Sequence, residues 1–284
     1  MADSSSWGSN YRLVAAERWK AKSAAMGGVV TDAFVEYAAP QPGMKVLDLA
    51  SGTGEPAISL SQRVAPNGHV TAFDQSADLL EIAAERARQR NLSNFTTRQG
   101  DAHDLPFGDD SFDLATCRFG VMFFADIDRA LTSLRRVLKP GARACFALWG
   151  PADQPYWATT MAIAAKYAGG PMLAPGGPDL FRFAAPGSFS HQLSKAGYHH
   201  IAEDTRTLPW TWHGTSEEVW EYCQAVSAPF RPMLERVPAE QRPALNAEVL
   251  AAINRYCDGS SIHFTAQVVF ASAAKPATVI PSSE

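Results

Sequence analysis

The chain has 284 residues, 46% of them hydrophobic and 19% charged, and 25 Lys and Arg against 29 Asp and Glu give a formal net charge of −4. That composition belongs to an ordinary globular protein and excludes collagen-like and disordered chains, while the mildly acidic balance argues against a protein that coats nucleic acid or anionic membrane. No apolar run approaches the roughly 20 residues that cross a bilayer, residues 1–10 lack the charge-then-apolar order of a signal peptide, and cysteines at 117, 145, 223 and 257 form no CxxC pair and no disulfide framework, which points to a reduced, cytoplasmic setting.

Taken in chain order, the first half is strongly patterned. Met44–Ala50 is a short apolar run entered through Pro42-Gly43 and closed by Ser51-Gly52, the pattern of a buried strand and a turn. Pro56 sits near the start of a helical stretch, where its missing N–H does no harm. Val70–Phe73 reads as a second strand, and Ala77–Arg90 as a helix with apolar positions at 79, 80, 83, 84 and 87. Phe95–Arg98 and Phe112–Phe119 are further strands, Asp126–Leu138 is a helix stopped by Pro140-Gly141, and Arg143–Trp149 is a fifth strand. Strands alternating with helices of this length predict a parallel sheet of βαβ units, which binds its ligand beyond the carboxyl ends of the strands.

The second half is less regular. Gly169–Pro178 is a Gly- and Pro-rich loop, Ser188–Ala196 a helix capped by Gly197, and a strand lies near Ile201–Pro209. Ser216–Val226 and Ala239–Asp258 read as helical, and Phe264–Ser272 as a last strand. Residues 1–10 and 275–284 read as loose ends. No clean linker interrupts the chain, so one domain with helical additions is expected.

The chemistry concentrates after the strands. Asp48-Leu49-Ala50-Ser51-Gly52-Thr53-Gly54 follows the first strand and opens a helix, where glycines let the backbone approach a ligand and the helix N-terminus offers free N–H groups. Gly52-Thr53-Gly54-Glu55-Pro56-Ala57 also satisfies the dinucleotide pattern G-x-G-x-x-G/A, which keeps an NAD-dependent oxidoreductase open as an alternative. Asp48 weighs against it: a carboxylate there suits a cationic head, such as an α-amino group or a sulfonium, better than a pyrophosphate. Asp74 ends the second strand, where it could bridge the hydroxyls of a ribose or cap a helix. Asp101 follows the third strand, where it could accept from the amino group of an adenine or simply close a turn.

With these motifs on view, the sequence resembles the class I S-adenosylmethionine-dependent methyltransferases, most of all the UbiE-like small-molecule enzymes of methyltransferase types 11 and 25. The likeness runs through VLDLASGTG (46–54), VTAFDQS (70–76), QGDAHDLPFGDDSFDLATCRFG (99–120) and LRRVLKPGARACFALWG (134–150). Ala50 stands where many members carry the first glycine of the motif. The resemblance implies a doubly wound, mostly parallel, seven-stranded Rossmann-like α/β sheet with helical cap insertions and a final antiparallel strand at Phe264–Ser272. It divides the chain into a tail and cap helices (1–39), a cofactor-binding core (40–150), sheet completion with substrate-cap insertions in the same domain (151–274) and a tail (275–284).

It also implies a cofactor, S-adenosylmethionine, leaving S-adenosylhomocysteine as product, and roles for matched positions. Asp48, Ala50, Ser51, Gly52 and Gly54 would hold the methionine portion, Asp74 and Gln75 the ribose and its surroundings, and Asp101 with Ala102 the adenine. Arg118 and Phe119 would flank the methionine portion, and Trp19 would touch the cofactor from the N-terminal segment. Methyl transfer mainly requires alignment and exclusion of water; His103 is the candidate base, should the acceptor need one. No His/Asp/Glu cluster at ligand spacing suggests a metal. The later segments hold many rings, including Tyr156, Trp157, Phe181, Trp210 and Trp212, which suits a small apolar or aromatic acceptor, quinol-like or natural-product-like. Arg86, Arg88, Arg90 and the Arg135-Arg136 pair are expected on solvated helix faces rather than in a nucleic-acid groove. A non-catalytic cofactor-binding protein is a further alternative, and the oligomeric state is left open.

Overall fold

A computed structural model describes residues 9–226 and 228–277 of the chain. The loose ends expected at 1–10 and 275–284 therefore fall mostly outside the described residues. Helix α1 spans Ser9–Ala38. Strand β1 (Lys45–Leu49), helix α2 (Ala57–Val64), strand β2 (His69–Asp74), helix α3 (Ala77–Gln89) and strand β3 (Phe95–Gln99) follow. Next come β4 (Phe112–Arg118), α4 (Ile127–Val137) and β5 (Leu138–Trp149). The later part holds α5 (Pro155–Ala158), α6 (Met161–Ala168), α7 (Ser188–Lys195), β6 (His199–His213), α8 (Ser216–Val226), α9 (Arg231–Glu235), α10 (Arg242–Asn254) and β7 (Ser261–Ala274).

The seven strands form one sheet in the order β3-β2-β1-β4-β5-β7-β6. Strands β1 to β5 pair in parallel. Strand β7 runs against β5: the N–H of Gly141 donates to Lys275 O at one end, and that of Gly150 to Gln267 O at the other. The chain crosses from β1 outward to β3, then returns to lay β4 on the other side of β1. The strand order therefore reverses between β1 and β4, the switch point beside which open α/β sheets bind ligands at the carboxyl ends of the strands.

Local chemistry accounts for the elements. Helix α3 starts at Ser76, whose hydroxyl accepts from Leu79 N, and it carries Asp78 in its first turn and Arg86 and Arg88 in its last. Helix α4 starts at Asp126, whose carboxylate accepts from Arg129 N at 3.0 Å, and ends on Arg135-Arg136. Ile127, Ala130, Leu131 and Leu134 line its buried stripe. Pro140-Gly141 does not stop α4, which ends at Val137 and passes directly into β5. The pair lies inside β5, where the register jumps from Phe112↔Leu138 to Leu114↔Arg143, because a bulge tolerates a proline that has no N–H to give the ladder.

The described chain separates into two compact units, each drawn from three segments, so no single linker marks the division. The sheet unit comprises Ala33–Leu148, Phe183–Asp204 and the chain from Val269 onward. Its core holds Val46, Leu47, Leu49, Val70 and Phe73 with Ile58, Leu60 and Ala83 of the flanking helices, all nearly fully buried; each large apolar side chain so placed contributes about 1.5–3 kcal/mol. The aromatic unit comprises the chain up to Asp32, Trp149–Arg182 and Thr205–Val268. Its core is a set of interlocking rings: Trp149 meets Trp157 and Trp210 edge-on at 5.5 and 5.2 Å, and Trp157 lies 5.3 Å from Phe230.

Candidate cofactor site

The sheet unit gathers the expected residues at the carboxyl ends of β1 to β4. Asp48 is fully buried and register-paired with Thr116 of β4. The Thr116 hydroxyl donates to Asp48 Oδ1 at 2.6 Å, and Asp48 Oδ2 is buried with no hydrogen-bond partner. Ser51 Oγ stands near it but makes no hydrogen bond of ordinary geometry. Burial pushes the Asp48 carboxyl up to about 7, against the opposing effects of Thr116, Ser51 and the Arg118 charge. A buried carboxyl left one partner short is a polar group that native structures rarely leave unsatisfied.

The turn that follows is tied down at several points. Ser51 N donates to Phe73 O at 3.1 Å, and Gly54 N to Ser51 O at 2.9 Å. Gly52 N donates to Asp74 Oδ2 at 2.9 Å. Gly54 has a φ of +105° and packs so closely on α3 that an added Cβ would lie 3.1 Å from Ala83 Cβ. An added Cβ on Gly52, at φ +55°, would meet nothing within 4 Å, so that side of the turn is open. Ala50 and Phe119 also hold positive φ, +51° and +56°. Non-glycine residues in this region cost on the order of 1–3 kcal/mol, and such strain clusters at functional sites. Gly120 explains the crowding: its added Cβ would lie 2.4 Å from Ala50 Cβ.

Asp74 is placed as expected at the end of β2, but its carboxylate already braces the site. Oδ2 accepts from Gly52 N, and Oδ1 from Ser76 N, each at 2.9 Å. Ribose hydroxyls would have to use the remaining lone pairs. Gln75 is exposed, and its carbonyl accepts from Gln99 Nε2. Gly100 N donates to Asp74 O, which fixes the loop bearing Asp101 and Ala102 beside β2. Asp101 is largely exposed; slight burial pushes its carboxyl up, but the His103 backbone N–H and ring outweigh this and hold it below its ordinary value.

Both ring nitrogens of His103 have partners. Its Nδ1 bonds Asp101 Oδ1, and its Nε2 accepts from Asp126 N at 3.1 Å. Accepting at Nε2 puts the ring proton on Nδ1, so both nitrogens are engaged in linking the β3 loop to the start of α4. Arg118 and Phe119 lie at the end of β4, with the guanidinium carbon 5.5 Å from the Phe119 ring centre. Trp19 belongs to the aromatic unit, where it packs on Trp212 at 5.4 Å and Tyr222 at 6.5 Å.

Two groups at the site escaped sequence reasoning. Thr116 is a polar residue inside the apolar run LATC, and only strand pairing shows which acid it serves. Arg86 corrects an expectation: it is 8% exposed, not on a solvated face, whereas Arg88 is solvent-facing beside Glu85. Its position one helical turn beyond Ala83 was the available signal. Among the described residues, no group of three or more His, Cys, Asp or Glu could hold a metal ion, and no helix is long and apolar enough to cross a membrane.

A family model described as a methyltransferase domain matches residues 40–205. A 2-phytyl-1,4-naphtoquinone methyltransferase from Synechococcus elongatus is 47% identical over 111 residues, 39% of this chain and 48% of that one. A ubiquinone/menaquinone biosynthesis C-methyltransferase UbiE from Shewanella frigidimarina is 41% identical over 110 residues, 38% of this chain and 44% of that one. The matched stretches thus span about half the length of these curated relatives. Among solved structures, phosphoethanolamine N-methyltransferase 2 of Haemonchus contortus, in complex with S-adenosyl-L-methionine, aligns with a TM-score of 0.53 at 18% identity over 87% of this chain and 52% of that one. That likeness speaks to the fold.

Proposed function

The chain belongs to the methyltransferase-domain family, and from that premise we propose that it transfers a methyl group from S-adenosylmethionine to a carbon or oxygen atom of a small apolar or aromatic molecule of the quinol class. The observation that carries the reading is the buried Asp48 carboxylate with one oxygen unpartnered. The donor set fits the cofactor: a buried anion for its cationic end, an open glycine turn beside it, and exposed acceptors on the β3 loop. When bound, the cofactor would supply a methyl group on a positively charged sulfur that leaves as a neutral sulfide.

The chain's own residues supply position and dryness. Asp48, held by Thr116, offers a fixed counter-charge, and Gly52 offers an open stretch of backbone in the turn that follows. Asp101 and the backbone of Ala102 address the adenine, Asp74 the ribose. Holding two reactants in line converts an encounter into an effectively unimolecular step, worth effective molarities of about 10⁵ M or more. The engaged ring of His103 favours a positioning role over proton transfer. The quinol class is supported by the substrates named for the relatives and by the ring-rich aromatic unit. Four free cysteines support a cytoplasmic setting. Isothermal calorimetry with S-adenosylhomocysteine and with NAD, followed by radiolabelled methyl transfer to naphthoquinols and phenols, tests the proposal. Binding of NAD with none of S-adenosylhomocysteine would overturn it.

A further inference from the structure

Helix α3 buries a guanidinium whose bonds all leave the helix. Arg86 Nη1 donates to Thr53 O at 2.5 Å and lies 3.5 Å from Thr53 Oγ1, while Nη2 donates to Glu55 Oε1 at 3.2 Å. The other oxygen of Glu55 accepts from the Ser59 hydroxyl at 2.9 Å, and the Glu55 carbonyl accepts from Arg118 Nε at 3.5 Å. These contacts grip residues 53–59, the turn after β1 and the first turn of α2. Burial pushes the Arg86 pKa down, and Glu55 opposes that shift.

Stability alone does not call for this arrangement. Replacing a buried ion pair by apolar groups of similar volume is often neutral or stabilising. The Arg86 donors end on the one segment whose outer face is open at Gly52 and whose inner face packs on Ala83. With Asp74 bonding Gly52 N from one side and Arg86 bonding Thr53 O from the other, the peptide between them is held from both ends. A turn fixed before the ligand arrives spares the ligand the cost of ordering it.

We propose that Arg86 is a positioning residue that holds the 52–56 turn in the form that receives the amino-acid end of the cofactor. The proposal rests on the reading of this turn as part of a cofactor site. It separates two ligands. S-adenosylhomocysteine carries the amino-acid end; 5′-methylthioadenosine keeps adenine, ribose and sulfur but lacks it. In Arg86→Met, which keeps volume and removes every donor, affinity for S-adenosylhomocysteine should fall about tenfold or more, while affinity for 5′-methylthioadenosine changes less than about threefold. In turnover, KM for S-adenosylmethionine should rise with kcat at saturating cofactor within about twofold of wild type, and Arg86→Lys should recover part of the loss.

Calorimetry on the full chain with both ligands decides the matter. Unchanged affinity for S-adenosylhomocysteine in Arg86→Met, or an equal loss for both ligands, would overturn the positioning role. Should that variant not fold, Glu55→Ala cuts the same clamp from the other side and is held to the same comparison. Failure of the wild-type chain to bind either ligand is a different result, and it would remove the cofactor reading itself.

Discussion

The sheet unit and the aromatic unit are held together by different chemistry. At the strand ends of the sheet unit, single polar atoms are placed one by one: Thr116 on Asp48, Gly52 N on Asp74, Arg86 on Thr53. The backbone there accepts strain at Ala50 and Phe119. The aromatic unit instead stacks rings edge to face, as in Tyr156 on Trp157 at 4.7 Å and on Phe264 at 5.7 Å. A charged, hydroxyl-rich ligand needs donors and acceptors at fixed points, because each misplaced buried polar atom costs about 1–3 kcal/mol. Ring packing needs area and shape, which many arrangements of large side chains supply. Small changes in the sheet unit should therefore have large effects, and polar changes in the aromatic unit small ones.

The strongest way to break that contrast is Gly120→Ala. The new methyl would lie 2.4 Å from Ala50 Cβ and 3.0 Å from Cys117 Sγ. Neither strand end is free to retreat: Ser51 N is bonded to Phe73 O at 3.1 Å, and Phe119 N to Ala147 O at 2.8 Å. Overpacking of this kind costs about 1–3 kcal/mol of stability, and displacement of Ala50 should lower S-adenosylhomocysteine affinity more than about 100-fold. Ala50→Gly removes the opposing methyl and relaxes a φ of +51°, so the double variant should regain most of the binding. Thermal unfolding and calorimetry on the three variants check this; a Gly120→Ala protein that binds normally refutes the crowding.

Asp48→Asn comes next, with an expected loss of about 100-fold in cofactor affinity, near 2.7 kcal/mol. Its stability effect has the opposite sign. The folded carboxyl is raised from 3.8 to about 7, so the fold favours the protonated form. That contribution is fully present below about pH 4 and is lost as pH rises through about 7. Above that, wild-type protein carries a buried anion, and the amide variant should unfold at the same temperature or higher. Binding of a cation needs the carboxylate, so wild-type affinity for S-adenosylmethionine should fall about tenfold per pH unit below about 7 and level off above it. Titrations from acid to mildly alkaline pH should find no such slope in Asp48→Asn.

Much of this contrast is legible in the amino-acid order, for a physical reason. Strands β1, β2 and β4 are mostly buried, so they stand out as apolar runs, and with the half-exposed edge strand β3 they set an alternation in which the acid at the end of each of the first three strands is conspicuous. Asp48, Asp74 and Asp101 are found that way. What the order hides is pairing across space. Thr116 looks like one polar residue in a strand until the register sets it beside Asp48. Arg86 looks like a surface charge because long cations usually are, although Ala83 and Ala87 on its flanks are buried. Pro140-Gly141 reads as a stop because both residues break helices, yet a bulge accommodates them. In the aromatic unit, rings carry no positional signature at all, so Trp19 could be assigned to a ligand or to a core with equal ease.

A smaller effect is expected from His103→Gln. The amide can donate to Asp101 and accept from Asp126 N, as the imidazole does. Cofactor affinity should fall no more than about threefold, and kcat should keep its pH profile. Loss of one limb of that profile, with binding intact, would restore His103 as a base.

The smallest expected effect lies in the aromatic unit. Trp210 is 6% exposed, and its indole Nε1 is buried without a hydrogen-bond partner, as is that of Trp157. An unmet buried donor costs about 1–3 kcal/mol, and Trp210→Phe removes it while keeping a ring against Trp149. The lost ring volume and the removed penalty oppose each other, so the unfolding free energy should move by less than about 1 kcal/mol. Trp149→Ala, which deletes a ring touching both Trp157 and Trp210, should cost about 3–5 kcal/mol in the same assay. If Trp210→Phe instead destabilises by as much as that deletion, the aromatic unit depends on a polar atom after all, and the division of labour between rings and placed charges fails.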